Sequence, residues 1–458
     1  MRVQGSTTQW QDARNFNRLS ALDKLISSEL IEDVLATTQK QSCYQSKLRA
    51  DVMIRVVIGM GLFTDKPIRQ VYRACQKKQE GCKTPGRSSL CVARQRLGSE
   101  PLREMFQRVV RPLATPPTVG AFYRGMRKVA IDGTVLDVPD CDALQHLGRS
   151  SGSRGEGPFP QVRKVSLVEC GTHVELAFVY GGWSDSEKKL VTGLWDSIPA
   201  DSLLLEDRGF FSYTHWKSLY QRYSLLVRIQ KSMVLEPLRE LADGSFLAKV
   251  YPSSWYRAND KQGIVVRVIE YKLDDPQRTG HDEVHRLMTT LLDADRFPAE
   301  ELICEYHERW ESELVFDEQK THQDPLRAEK TTNLRSETVD GIRQELYAIS
   351  IAHFIIRSMM FDAASEVGMD VDRLSFKGCF QIITLRLSEC DGRDRERIES
   401  WYRSLLEELR EETIPPRRNR INPRVIKRKM SRWNKKRACH RKLKPLTKTF
   451  AESIVMKI

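Results

Sequence analysis

The densest set of groups able to do chemistry lies between Tyr306 and Lys320, where Tyr306, Arg309, Glu313 and Lys320 fall at offsets of zero, three, seven and fourteen. The stretch holds strong helix formers and neither Gly nor Pro. Pro298, Ala299, Glu300 and Glu301 make an acidic first turn, so the pattern predicts one helix from 299 to 321. At about 100° per residue the four polar residues share an arc of roughly 60°. Leu302, Trp310 and Leu314 lie along or beside that arc, which puts a carboxylate between two cations on a face the helix would otherwise bury. Such a carboxylate needs partners or a metal ion. A solvated face with an Arg309–Glu313 pair is the alternative, and the helix alone leaves both open.

Tyr-x2-Arg-x3-Glu-x6-Lys is the YREK signature, and this stretch resembles the glutamate helix of transposases of the insertion sequence 4 family. The resemblance implies a ribonuclease-H-like fold and a metal site of two aspartates and one glutamate, so strands elsewhere must supply the aspartates. Asp132 follows Val129-Ala-Ile and precedes Gly133, which permits close approach of a ligand or another backbone. Asp207 ends Leu203-Leu-Leu-Glu-Asp and precedes Arg-Gly-Phe-Phe. In an open α/β sheet the carboxyl ends of strands form the ligand crevice. Glu206 and Asp207 point to opposite faces of a strand, so only one can serve the site, and Asp207 matches the family's Asp-Arg-Gly-Phe. Asp137 and Asp140 remain substitutes for Asp132 on residue pattern, whereas Ile-Asp-Gly-Thr around Asp132 fits the resemblance.

The implied catalytic set is Asp132, Asp207 and Glu313. Phosphodiester cleavage must activate water or a DNA 3′-hydroxyl and stabilise a leaving alkoxide. Two divalent ions roughly 4 Å apart can do both. Hard oxygen ligands suit Mg²⁺, with Mn²⁺ as a substitute, and no covalent protein intermediate is required. The resemblance gives Tyr306, Arg309 and Lys320 to DNA phosphates beside the scissile bond.

Of the 458 residues 40% are hydrophobic and 29% charged, as in a globular protein with ample chain for large cores. No apolar leader opens the chain, and the most apolar helix, near 346–361, is interrupted by His353 and Arg357. The expectation is therefore no membrane partner and a prokaryotic cytoplasmic, nucleoid-associated location. The ten cysteines form no CxxC, which points to reduced, packed thiols. The net charge of +13 is concentrated: fifteen cations and no acid lie between Thr413 and Lys448, so the rest is near neutral.

The segment to about 120 reads helical. Leu22, Leu25, Ile26, Leu30 and Val34 give one apolar face, Val52 to Met60 a second helix, and Pro85 to Gly98 a loop, a serine cap and a short basic helix. Arg94 and Arg96 on that helix suit a helix-turn-helix-like DNA reader, and a packing bundle fits the pattern equally. Strands follow at 128–139, 164–170, 173–179, 202–207 and 225–229, with helices near 186–197 and from 212; this is the ribonuclease-H order. Between 231 and 297 lie strand-like runs read as an insertion, in which Trp255 could stack on an unpaired base. Beyond 321 come helices around 338–365 and 394–412 and then the basic tail.

His281-Asp-Glu-Val-His285 is not HExxH, and Ser150 to Gly157 lacks the Gly-Lys-Ser/Thr of a phosphate loop, so neither zinc nor a nucleotide cofactor is expected. Arg424, Lys427, Arg428 and Lys429 resemble the family's carboxyl-terminal run and imply DNA backbone contact. The expected fold is α/β, a ribonuclease-H-like mixed sheet with a β-rich insertion, a helical amino-terminal domain and a helical, basic carboxyl-terminal region. The corresponding domains are 1–120, 121–230, 231–297, 298–365 and 366–458. The resemblance implies a cut-and-paste transposase acting on double-stranded DNA, at element ends and target, as a homodimer. The alternatives are a catalytically inactive DNA-binding relative acting as a regulator, and a simple nuclease.

Overall fold

The computed structural model describes residues 22, 24–42, 48–76, 83–152, 155–276, 278, 281, 283–324, 332–387, 389–390, 395–416, 425–426, 434–435 and 448–456. Its longer strands, in chain order, are β1 (Met126–Asp137), β2 (Gln161–Glu169), β3 (Val174–Gly182), β4 (Ser202–Glu206), β5 (Ser224–Arg228), β6 (Phe246–Val250), β7 (Ile264–Leu273), β8 (His285–Thr289) and β9 (Ile454–Met456). The expected helix near 186–197 is four residues of α-helix, Glu187–Leu190, followed by the 3-10 segment Val191–Ser197.

The chain divides into two compact units, each discontinuous in sequence. The first gathers 1–119, 133–186 and 313–414. Its centre is the helix Val339–Ser365, begun by Thr338, whose hydroxyl accepts from Gly341 N at 3.1 Å. Among the described residues this helix alone is long and apolar enough to cross a membrane, and 83% of its most apolar window is buried inside the protein. The helix Ala50–Leu62 packs on it at backbone contact: a Cβ on Gly61 would stand 2.2 Å from Ala348 O, so only glycine fits. Phe106, Phe178 and Tyr347 form an aromatic cluster with ring centroids 5.0 to 5.9 Å apart, joining the helix Glu100–Val109 and the antiparallel β2–β3 hairpin to this core. The basic helix runs Arg87–Leu97 and ends at Gly98 with φ +75°, as its glycine predicts. Its N-cap is Gly86 rather than a serine, because the helix starts early enough to enclose Ser88 and Ser89.

The second unit gathers 120–132, 187–312 and 415–458. There β1, β4 and β5 pair in parallel, Ile131 opposite Glu206 and Glu206 opposite Val227. Leu203, Leu204 and Leu205 are wholly buried, as a parallel strand covered on both faces requires. The sheet continues antiparallel through β8, β7 and β6, so the region 231–297 is β-rich as expected. The chain's end departs from a simple tail. Ile454–Met456 pairs antiparallel with Tyr271–Leu273, Phe450 stacks on His307 at 3.7 Å, and Lys448 Nζ reaches Asp274 Oδ2 at 2.7 Å.

The glutamate helix is continuous but not uniform. It comprises Ala299–His307 in α form, a 3-10 turn Glu308–Trp310, Glu311–Asp317 in α form and a π turn Glu318–His322. The stripe expected from a constant 100° therefore drifts, first overwound and then underwound.

Candidate active site

Within the second unit, the pairing of β1 with β4 stops where β4 ends, at Glu206, although β1 itself runs on to Asp137. Ile131 and Glu206 form the last registered pair, so Asp132 and Asp207 are the next residue on each of two parallel strands about 4.8 Å apart. Both are half-buried at the carboxyl edge. Glu206 is buried and receives His215 Nε2 at 2.7 Å, with the Trp195 ring edge-on to that imidazole at 5.3 Å. Its charge is thus committed away from the edge where Asp207 emerges.

The helix Ala299–His307 and the turn after it reach both aspartates. Arg309 Nη1 donates to Asp132 Oδ2 at 3.0 Å, and the single proton of Ser312 Oγ is shared between the same oxygen at 3.2 Å and Arg309 O at 2.9 Å. Tyr306 Oη points to Asp207 Oδ1 at 3.5 Å, the outer limit of a hydrogen bond. Burial pushes the Tyr306 phenol well above its ordinary pKa, with Arg309 opposing and the Asp207 charge adding to the rise. Glu313 is the residue after Ser312 and is exposed. In the first unit Lys320 Nζ donates to Thr134 Oγ1 at 3.0 Å and to Val135 O at 2.8 Å, on the continuation of β1 beyond Asp132.

Three further contacts position the helix, and local pattern hides them. Its N-cap, Pro298, offers no side-chain acceptor; Asp243 from the insertion accepts instead from Ala299 N at 2.9 Å. Burial works against the Asp243 charge, yet Ser245, Arg267 and backbone donors hold its carboxyl below the usual range. Arg267, fully buried, ties that aspartate to Phe297 O at 2.6 Å. Lys128 on β1 meets Glu305 and Glu308, each at 2.5 Å. The acids Glu301, Glu305 and Glu308 fall at helical spacing of four and three, a signal present in the sequence but overshadowed by the stripe beside it.

The two alternatives to Asp132 are engaged elsewhere in the first unit. Asp137 Oδ1 accepts from Gln161 Nε2 at 2.8 Å, and Asp140 accepts from Arg149 and Gln145. Arg94 is turned inward: its guanidinium donates to Gln344 Oε1 at 2.6 Å, Gly341 O at 2.8 Å and Ser336 Oγ at 2.9 Å. Arg96 is exposed and donates to Leu48 O at 2.8 Å. Trp255, on the short helix Ser254–Ala258, is 56% exposed, with Lys261 Nζ 5.4 Å from its ring centroid. Arg424, Lys427, Arg428 and Lys429 lie outside the described residues.

Comparison with known proteins bears on the whole arrangement. The model "Insertion element 4 transposase N-terminal" matches residues 16–107, and "Transposase DDE domain" matches 123–355. The chain is 28% identical over 419 residues to the Transposase InsG for insertion sequence element IS4 of Escherichia coli K12, covering 90% of this chain and 92% of that protein. It is 24% identical over 192 residues to InsZ of the same strain, covering 41% of this chain and 62% of that one. A DDE domain implies a ribonuclease-H-like fold, and the sheet here is mixed parallel and antiparallel as that fold requires. Since the DDE model alone spans half of the chain, from before Asp132 to beyond Glu313, the protein belongs to the insertion-element-4 family of DDE transposases.

Proposed function

We propose that this protein performs cut-and-paste transposition of an insertion sequence. A dimer would bind the terminal inverted repeats, hydrolyse the element ends with Mg²⁺ and join the freed 3′-hydroxyls to target DNA in a prokaryotic cytoplasm. The observation that carries this reading is the reach of one helical stretch to two aspartates on neighbouring strands, just past their last registered pair. Tyr306 approaches Asp207, and Arg309 with Ser312 bonds Asp132.

Asp132, Asp207 and Glu313 are assigned as metal ligands. The donor set fits: all are carboxylate oxygens, two of them adjacent on neighbouring parallel strands, and Asp132 already attracts a cationic group. When bound, two divalent ions would counter the phosphoryl charge and lower the barrier to attack by water or a 3′-hydroxyl. The protein supplies orientation. Ser312 fixes one oxygen of Asp132, and Arg309, 14% exposed in its side chain, lies where a phosphate beside the scissile bond would compete for it. In hydrolysis the water oxygen bonds phosphorus and one P–O bond breaks, leaving a 3′-hydroxyl. In joining, that 3′-oxygen bonds a target phosphorus as another P–O bond breaks.

Tyr306 and Lys320 are assigned with Arg309 to DNA phosphates beside the scissile bond, and DNA contact beyond the site to Arg96, the exposed Trp255 and the cations Arg424, Lys427, Arg428 and Lys429. We assign Arg94 a packing role, because its donors are taken up inside the first unit.

The test is cleavage at the element boundary on linear DNA carrying the gene's own flanks, with Mg²⁺, comparing wild type with Glu313→Gln. Cutting by wild type alone, with DNA binding kept by the variant, is expected. Equal binding and no cutting by either would overturn the reading in favour of a DNA-binding regulator, and cutting without joining in favour of a nuclease.

A further inference from the structure

Lys128, the third residue of β1, is 1% exposed at the start of its buried stretch Lys128 to Ile131, and its ammonium sits 2.5 Å from both Glu305 and Glu308. A charge so buried persists only when paired. Side chains alternate along a strand, so Lys128, Ala130 and Asp132 share one face. That face, and the turn that leads into β1, carry polar contacts to the same helical stretch at three levels. Tyr123 and Arg124 before the strand meet Glu301 at 2.9 and 2.8 Å, Lys128 meets Glu305 and Glu308, and Asp132 meets Arg309 and Ser312. The order is the same along the segment 123–132 and along the helix, and every contact lies within the second unit.

Apolar contact between a helix and a strand tolerates sliding; a buried ion triad does not. A slide of half a helical turn, about 2.7 Å, would break both ion pairs of a lysine whose side chain is only 2% exposed. Burial already pushes the Glu305 carboxyl above its ordinary pKa, Lys128 opposing that rise. Glu308 and Arg309 are consecutive residues of the 3-10 turn, so fixing one fixes the other.

We propose that Lys128 is a positioning residue for the phosphodiester chemistry: by holding Glu305 and Glu308 it sets the register of the glutamate helix against β1 and so aims Arg309 and Ser312 at Asp132. This rests on the assignment of Asp132 as a metal ligand. It assigns a role in the site to three residues outside the Tyr-Arg-Glu-Lys stripe and the aspartates.

The test uses full-length protein and reads Mn²⁺ binding to the DNA-free protein by electron paramagnetic resonance, beside the Mg²⁺ concentration that half-saturates cleavage. Lys128→Met, which keeps the length and removes the charge, is expected to weaken Mn²⁺ binding and raise the Mg²⁺ requirement at least roughly ten-fold, as loss of a supporting contact does at metal sites. Lys128→Arg should recover part of both shifts. Arg124→Met, at the exposed end of the same series, should leave both within about two-fold of wild type. A folded Lys128→Met with wild-type Mn²⁺ binding and Mg²⁺ requirement overturns the proposal. If that variant does not fold, Glu308→Gln is read by the same criteria. Asp132→Asn separates the two levels. If it alone loses Mn²⁺ binding, the positioning role fails and the ligand assignment stands; if it too binds as wild type, both fall.

Discussion

The helix of Glu313 is served by two sets of charged partners that differ in access to water. Around Asp132 the groups are partly open: the Arg309 and Asp132 side chains are 14% and 20% exposed. In the first unit the π turn buries Glu318, which accepts from Arg357 Nε at 3.0 Å and His353 Nε2 at 2.9 Å. Arg357 donates on to His173 Nδ1 at 2.6 Å, and His173 Nε2 lies 3.2 Å from Asp372 Oδ1. Beside it Lys164 Nζ, also buried, meets Glu175, Gln319 and Ser350 at 2.9 to 3.1 Å. Ion pairs in this protein therefore have two uses. A pair reachable by solvent can exchange one partner for an ion or phosphate, whereas a sealed network can only hold the backbone in place.

Opening the sealed network should have the largest effect. Arg357→Met leaves the Glu318 carboxylate buried without its guanidinium and should cost about 3–5 kcal/mol of stability in urea unfolding. The folded fraction should keep wild-type Mn²⁺ binding; a loss of metal binding at full folding would erase the distinction. The open pair should respond in the opposite sense. Arg309→Gln should leave stability near wild type but lower cleavage roughly hundred-fold, by removing a donor to the reacting phosphate, and weaken Mn²⁺ binding to DNA-free protein, because Asp132 loses a contact that orients it. Mn²⁺ binding tighter than wild type in that variant would mean that Arg309 competes with the ion instead of supporting the site.

The smallest expected effect is in acid. Burial pushes the His353 imidazole below its ordinary 6.5. Burial also opposes ionisation of Glu318, but Arg357 and the two histidines hold its carboxyl well below 4.5. Both groups take up protons more readily in the unfolded chain, so stability falls as pH drops, from about 6.5 downward through His353 and from about 4.5 downward through Glu318. Melting temperatures from pH 7.5 to 4 should show this slope, and Glu318→Gln should flatten its lower part; an unchanged slope would place the acid sensitivity elsewhere.

Much of this is legible in the residues. Val129-Ala-Ile before Asp132 and the leucine run before Asp207 read as strands carrying carboxylates; β4 ends at Glu206 beside Asp207, whereas β1 runs on past Asp132 to Asp137 and only its pairing with β4 ends there. The helix was legible as an element from its Gly- and Pro-free run, but its 3-10 and π turns were not. The π turn holds Glu318 and Gln319, whose partners His173, Glu175 and Lys164 lie more than a hundred residues away, beyond any local propensity. Arg94 misleads for the same reason: a basic residue on a short helix reads as a DNA contact until Gln344 and Gly341 take its donors.

By itself the sequence determined the periods of the elements, the order of strands and helices, and the spacing that sets Tyr306, Arg309, Glu313 and Lys320 on one helix, because these follow from local backbone geometry and hydrophobic alternation. The tertiary structure decided which charges face each other. Lys128 between two glutamates, Asp243 at the start of the glutamate helix and Glu318 among two histidines and an arginine are pairings across long stretches of chain. The energy of a charge depends on its burial and neighbours, which no local window contains.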